Sequence, residues 1–118
     1  MIGTTYPEYH AKRKQQIGKL GKDLPSVMTG FAQLHKGAAG DGVLSVKVKE
    51  LIALAIAVSA RCEGCIAFHT HDALRAGASR QEILEALGVA ILMGGGPSAM
   101  YACEAMEAME QFQANKPN

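Results

Sequence analysis

The sequence predicts an all-α fold, a single domain of about six helices over residues 1–118, and three observations carry that prediction. No segment alternates apolar and polar residues with the period of two that a half-buried strand requires. Apolar residues recur instead at helical intervals, in stretches separated by Gly, Pro or N-capping residues. The 118 residues are 48% apolar but only 5% aromatic, so the core must be built from Ala, Leu, Ile, Val and Met, which favours close helix packing.

Pro7 fits the first position of a helix over residues 7–20, whose Lys and Arg content reads as a polar, solvent-facing rod. Only Ile17 and Leu20 repeat at a helical interval there, and residues 21–23 are expected to break it. Asp23 is the expected N-cap of a second helix, in which Leu24, Val27, Met28, Phe31 and Leu34 form one buried face. The glycine-rich residues 37–42 read as a loop. Ser45 caps a third helix, apolar on every side toward Ala60, as befits the centre of a bundle or an oligomer. Residues 61–64 form a short break before a fourth helix over 66–76, with the thiols at its first turn and Gly77 stopping it. Ser79 and Glu82 make an S-x-x-E capping box for a fifth helix with Ile83, Leu84, Leu87, Ala90 and Ile91 on its apolar face. The GGGP of residues 94–97 ends it, and a last helix over 97–112 repeats Met100, Cys103, Met106 and Met109 at intervals of three. That Met stripe reads as core or subunit interface, and Cys103 within it as a small buried hydrophobe. The tail ANKPN, residues 114–118, looks disordered.

Twelve basic against eleven acidic residues give a formal charge of +1, which offers no electrostatic reason to expect nucleic acid or an anionic membrane. Three cysteines are too few, and odd in number, for a secreted disulfide scaffold. The N-terminal stretch lacks the apolar segment of a signal peptide, and the run at Leu51 is too short to span a bilayer. A cytoplasmic protein is therefore expected, and in that compartment a CxxC is a redox pair or a metal site. GGGP lacks both the preceding strand and the glycine spacing of a dinucleotide fingerprint.

The chemistry concentrates in residues 50–69, ELIALAIAVSARCEGCIAFH. At about 100° per residue, Cys62, Cys65 and His69 fall within about 60° of one another on a helix, whereas His71 lies about 180° from Cys62. The thiolate is the reactive form of cysteine, favoured by a helix N-terminus and by a nearby base. His69, four residues after Cys65, can supply that base, and Glu50 on the preceding helix can hold the imidazole in one tautomer. Proximity to His69 favours Cys65 as the attacking sulfur, and the helix N-terminus favours Cys62. Once one sulfur has attacked a peroxide and become a sulfenic acid, the other can condense with it to a disulfide, which a dithiol partner must reduce.

Glu50, eleven residues, Cys62-x-x-Cys65, three residues and His69, followed by the turn GAS and a helix start at Ser79, resembles the alkylhydroperoxidase D-like part of the carboxymuconolactone decarboxylase family. The likeness covers about residues 44–109. It implies an all-α domain that forms homo-oligomers, often trimers or hexamers, with a thiol-dependent peroxidase or disulfide reductase site at Glu50, Cys62, Cys65 and His69. It implies no cofactor beyond the redox-active cysteine pair, a hydroperoxide as substrate, and a thiol or disulfide electron donor as partner. Members with established peroxidase activity can carry His just before the second Cys, where this chain has Gly64.

Other readings attach to the same residues. A decarboxylase-type enzyme would use Glu50 and His69 for acid/base work and leave the cysteines incidental. A non-catalytic redox-sensing or metal-binding subunit would use Cys62, Cys65, His69 and His71 as ligands, but the opposed directions of the two histidines count against one ion. Haem attachment fails because Ile66 follows Cys65, and a thioredoxin module fails for want of a βαβ pattern. His10 and His35 are expected on exposed helix faces, and His71 at the surface or an interface.

Overall fold

The computed structural model describes residues 3–115, and among them every regular element is a helix. Six follow in order: α1 Tyr6–Asp23, α2 Pro25–Ala39, α3 Val46–Ser59, α4 Glu63–Arg75, α5 Arg80–Gly94 and α6 Gly96–Ala114. α3, α4, α5 and α6 pack on one another around a single cluster of buried side chains, chiefly Ala with Leu54, Val58, Ile66, Ile83, Leu87 and Met109. None of the helices is long and apolar enough to cross a membrane.

Local signals set most boundaries. Ser45 Oγ accepts the Val48 N–H at the start of α3. At α5 both halves of the expected capping box form, with Ser79 Oγ accepting the Glu82 N–H and Glu82 accepting the Ser79 N–H at 2.9 Å. The last turn of α4 closes on Gly77 at φ 94°, a left-handed position that glycine occupies without a steric penalty.

Elsewhere the helices depart from expectation. α1 starts one residue before Pro7, on an N-cap at Thr5, and runs through Gly21 to Asp23, because nothing there demands positive φ. Asp23 is thus the last residue of α1, and α2 follows directly with Leu24 as a cap that makes no side-chain bond and Pro25 in its first turn. The expected loop of residues 37–42 is helical as far as Ala39. α4 begins at Glu63, earlier than expected, with Cys62 as its N-cap. Of the tail, Ala114 ends α6 and Asn115 caps it; residues 116–118 lie outside the described residues, as do Met1 and Ile2 of the N-terminal stretch.

The buried face expected of α2 and the buried Cys103 are corrected, and the apolar α3 and the Met stripe are only partly covered within the chain. α2 buries no residue at all: Val27, Phe31 and Leu34 are each more than half exposed, since the helix leans on α1 and α3 without a layer above it. α3 buries Leu54, Ala57 and Val58 but leaves Ile52 and Ile56 exposed. The stripe of α6 that faces the core is Ser98, Ala102, Ala105, Ala108 and Met109, while Met100, Cys103 and Met106 are exposed. A strict interval of three slips about 60° per step, so Met100 and Met109 point in opposite directions.

α1 is not wholly a solvated rod either. Tyr6, only 1% exposed, inserts its ring into the core, donates from its hydroxyl to Glu104 Oε2 at 2.8 Å and from its N–H to Gln111 Oε1 at 2.7 Å. Burial, then the Glu104 carboxylate, push the Tyr6 hydroxyl well above its ordinary value of 10.0. Because the folded value is the raised one, this contribution to stability is complete below pH 10 and is lost as the pH climbs beyond it. Tyr6→Phe is expected to cost about 1.5 kcal/mol at neutral pH in urea unfolding, and to lack the alkaline loss of stability that the parent shows. An unchanged unfolding midpoint would exclude the α1–α6 clasp.

Candidate redox site

α3 and α4 are antiparallel neighbours joined by two residues beyond the cap of α3, so the chain returns along itself and Glu50, near the start of α3, comes level with His69 in the middle of α4. Glu50 is 4% exposed, and its Oε2 lies 2.7 Å from His69 Nδ1. A buried carboxylate with one imidazole beside it fixes the ring, with Nδ1 donating and Nε2 directed elsewhere. The rod of apolar residues from Leu51 to Ala60 therefore sets the register between the carboxylate and the thiols.

Cys62 and Cys65 form a disulfide, with their Cα atoms 5.2 Å apart. Cys62 is the N-cap of α4, and its Sγ accepts the Cys65 N–H at 3.1 Å, the bond a Ser or Asp cap would take. Cys65 lies within the first turn and His69 one turn later on the same side. The four candidate residues are thus shared between two helices, two sulfurs at one end of α4 and a hydrogen-bonded carboxylate–imidazole pair one turn on.

His71 points away, as the helix count predicts. Its ring stacks on His10 of α1 at 4.4 Å, beside Phe68 and Phe112, and its Nδ1 meets Asp72 Oδ1 at 2.9 Å. His10 is therefore half-buried rather than exposed, whereas His35 is exposed as expected. Burial, then the neighbouring His71, hold His10 below its ordinary value. This arrangement removes His71 from any common ligand set with the cysteines. Glu50, His69 and Asp72 do offer one ligand atom each within 4.8 Å of one another, so the carboxylate–imidazole pair has a second carboxylate beside it. Asp72 went unread in the sequence, although its place three residues after His69 on one face is a legible spacing.

Gly64 faces α1: a Cβ there would make an ordinary contact, at 3.6 Å, with Tyr9 Oη.

The sequence profile of the carboxymuconolactone decarboxylase family matches residues 25–108, which takes in α2 as well as the motif region. An uncharacterised protein of Cupriavidus necator is 45% identical over 100 residues, 85% of this chain and 88% of that one. Among solved structures, a carboxymuconolactone decarboxylase family protein from Legionella pneumophila superposes with a TM-score of 0.88 at 48% identity, covering 91% of this chain and 96% of that one. A family protein from Thermotoga maritima, described as possibly involved in antioxidative response, gives 0.82 at 26% identity over 90% of this chain and 91% of its own. With the profile spanning α2 to α6 and the helical architecture held in common, the chain belongs to the carboxymuconolactone decarboxylase family.

Proposed function

We propose that the chain is a thiol-dependent hydroperoxide reductase, or a disulfide oxidoreductase of the same chemistry, that works through Cys62 and Cys65. The observation that carries this reading is the placement of a bonded cysteine pair at the N-terminus of α4 with the Glu50–His69 hydrogen bond one turn further on. The Thermotoga relative's suggested antioxidative role points the same way.

The steps follow from which group each sulfur can use. His69, held by Glu50, takes the proton of the Cys65 thiol four residues before it. The Cys65 thiolate attacks the distal peroxide oxygen; the O–O bond breaks, the alkoxide leaves and is protonated to the alcohol, and Cys65 becomes a sulfenic acid. Cys62, whose sulfur is supported by the Cys65 N–H and the end of the helix, then displaces hydroxide from that sulfur, giving the disulfide and water. An external dithiol returns both thiols. In sum, two thiols and one hydroperoxide give one disulfide, one alcohol and one water.

Mixing fully reduced protein with hydrogen peroxide or cumene hydroperoxide is expected to consume two thiols per chain, mapped by mass spectrometry to Cys62 and Cys65, and to leave Cys103 reduced. Unchanged thiols at both positions would overturn the reading.

The same reading includes a homo-oligomer. Apolar side chains are left uncovered on α2 (Phe31, Leu34), on α3 (Ile56) and on α5, where Leu92 is 80% exposed. Patches of this kind mark association surfaces, and a helix without a buried residue gains stability only by being covered. Light scattering is expected to find more than one chain per particle, and Leu92→Glu to shift the population toward monomer. A monomer at high micromolar concentration in the parent protein would contradict it.

A further inference from the structure

α3 and α4 end in the same way, with one residue changed. At the end of α4, the N–H groups of Gly77 and Ala78 bond to the carbonyls of Leu74 and Ala73; at the end of α3, those of Arg61 and Cys62 bond to Val58 and Ala57. Each pair of bonds is a Schellman closure, which needs one residue in the left-handed region. α4 uses Gly77 there, at φ 94°. α3 uses Arg61, at φ 59°, and among the described residues it is the only one other than glycine with positive φ. A side chain in that conformation is strained where glycine would not be, and such strain collects at functional sites. The strained residue directly precedes Cys62, the N-cap sulfur of α4.

Packing does not account for arginine at this place. Arg61 is exposed, and its guanidinium makes no hydrogen bond or ion pair with a described residue. What arginine has and glycine lacks is charge, one residue from a sulfur that must ionise. Glu63, on the other side of Cys62, is half-buried and has an interaction partner of its own, which leaves Arg61 as the exposed charge next to the sulfur. One turn further on, Glu50 and His69 are bonded to each other. We propose that Arg61 is a positioning residue of the redox pair, whose exposed charge, together with the helix N-terminus, keeps the Cys62 sulfur ionised when it condenses with Cys65 and when it is released by the reducing dithiol.

The inference rests on the thiol reading above, but its test does not need peroxide. In fully reduced protein, the rate of iodoacetamide alkylation is followed against pH at each cysteine by mass spectrometry, with exposed Cys103 on α6 as an internal reference. Arg61→Gly and Arg61→Gln are expected to slow alkylation of Cys62 about threefold at pH 7 relative to Cys103, the order expected of losing one solvent-exposed charge. Arg61→Lys should keep the parent rate, and salt near 1 M should erase the differences. Arg61→Gly should at the same time raise the folded-to-unfolded ratio, about threefold, by relieving the left-handed strain. Stability and thiol reactivity thus move in opposite directions, which loss of structure cannot mimic. If Cys62 alkylates in both variants as in the parent, the proposal is overturned. If peroxide fails to oxidise the parent pair while the Arg61 dependence holds, it is the peroxidase reading that falls.

Discussion

Replacing either Cys62 or Cys65 with Ser is expected to abolish turnover of hydroperoxide with a dithiol reductant, a loss of about a thousandfold or more, since each sulfur supplies a bond that no neighbour can make. The two variants should differ in the first turnover. Cys62→Ser retains the thiol beside His69 and should reduce one equivalent of peroxide, stopping at a sulfenic acid on Cys65 that dimedone traps. Cys65→Ser keeps the N-cap sulfur without the imidazole one turn on, and its single turnover should be slower by about a hundredfold, the usual contribution of a positioned base. Ser is a good N-cap, so Cys62→Ser preserves the start of α4 and the comparison is not confused by unfolding. An acid/base enzyme built on Glu50 and His69 alone predicts a different result, with both variants fully active on an acidic substrate. Full activity in both variants would therefore move the chemistry to the carboxylate–imidazole pair and its neighbour Asp72.

The signals legible in the sequence were those whose physics is local. Ser45, the Ser79–Glu82 box and Gly77 each act within one turn of chain, and each sits where its chemistry requires. The placing of Cys62, Cys65 and His69 on one side of α4, with His71 opposite, needed only the angle per residue. Long-range packing was not legible in that way. Val27, Met28, Phe31 and Leu34 of α2 have the spacing of a buried stripe, yet a sequence cannot say whether the layer above it belongs to the same chain. On α6 the conspicuous residues were methionines, whereas the core took the alanines between them, because close helix contact needs small side chains and a strict interval of three does not keep to one face. Tyr6 carried no periodic signal, and its role depends on Glu104 almost a hundred residues away. Arg61 is the reverse case, a local rule broken: nothing in its residue type announces a left-handed conformation.

The second large effect is structural. Gly94→Ala is expected to destabilise the fold by about 3 kcal/mol, the upper end of what overpacking a tight contact costs. Gly94 closes α5, Ser98 lies in the first turn of α6, and the two helices meet there across the left-handed Gly95, at φ 70°. A Cβ on Gly94 would overlap Ser98 Oγ and come within 2.8 Å of Ser98 Cβ. Rotating the serine could remove the first clash but not the second, because Cβ moves only with the backbone. Ser98 is itself 3% exposed, so α6 cannot yield at this point without opening the stripe of Ala102 and Ala105 behind it. At roughly 4 °C per kcal/mol for a chain of this size, the thermal midpoint should fall by about 12 °C. The double variant Gly94→Ala with Ser98→Gly removes both offending atoms and should recover about half of the loss, a coupling that a double-mutant cycle measures directly. The remainder reflects the flexibility that glycine adds to the first turn of α6. Additive effects of the two substitutions would mean that the close approach of α5 to α6 is not what fixes glycine at position 94.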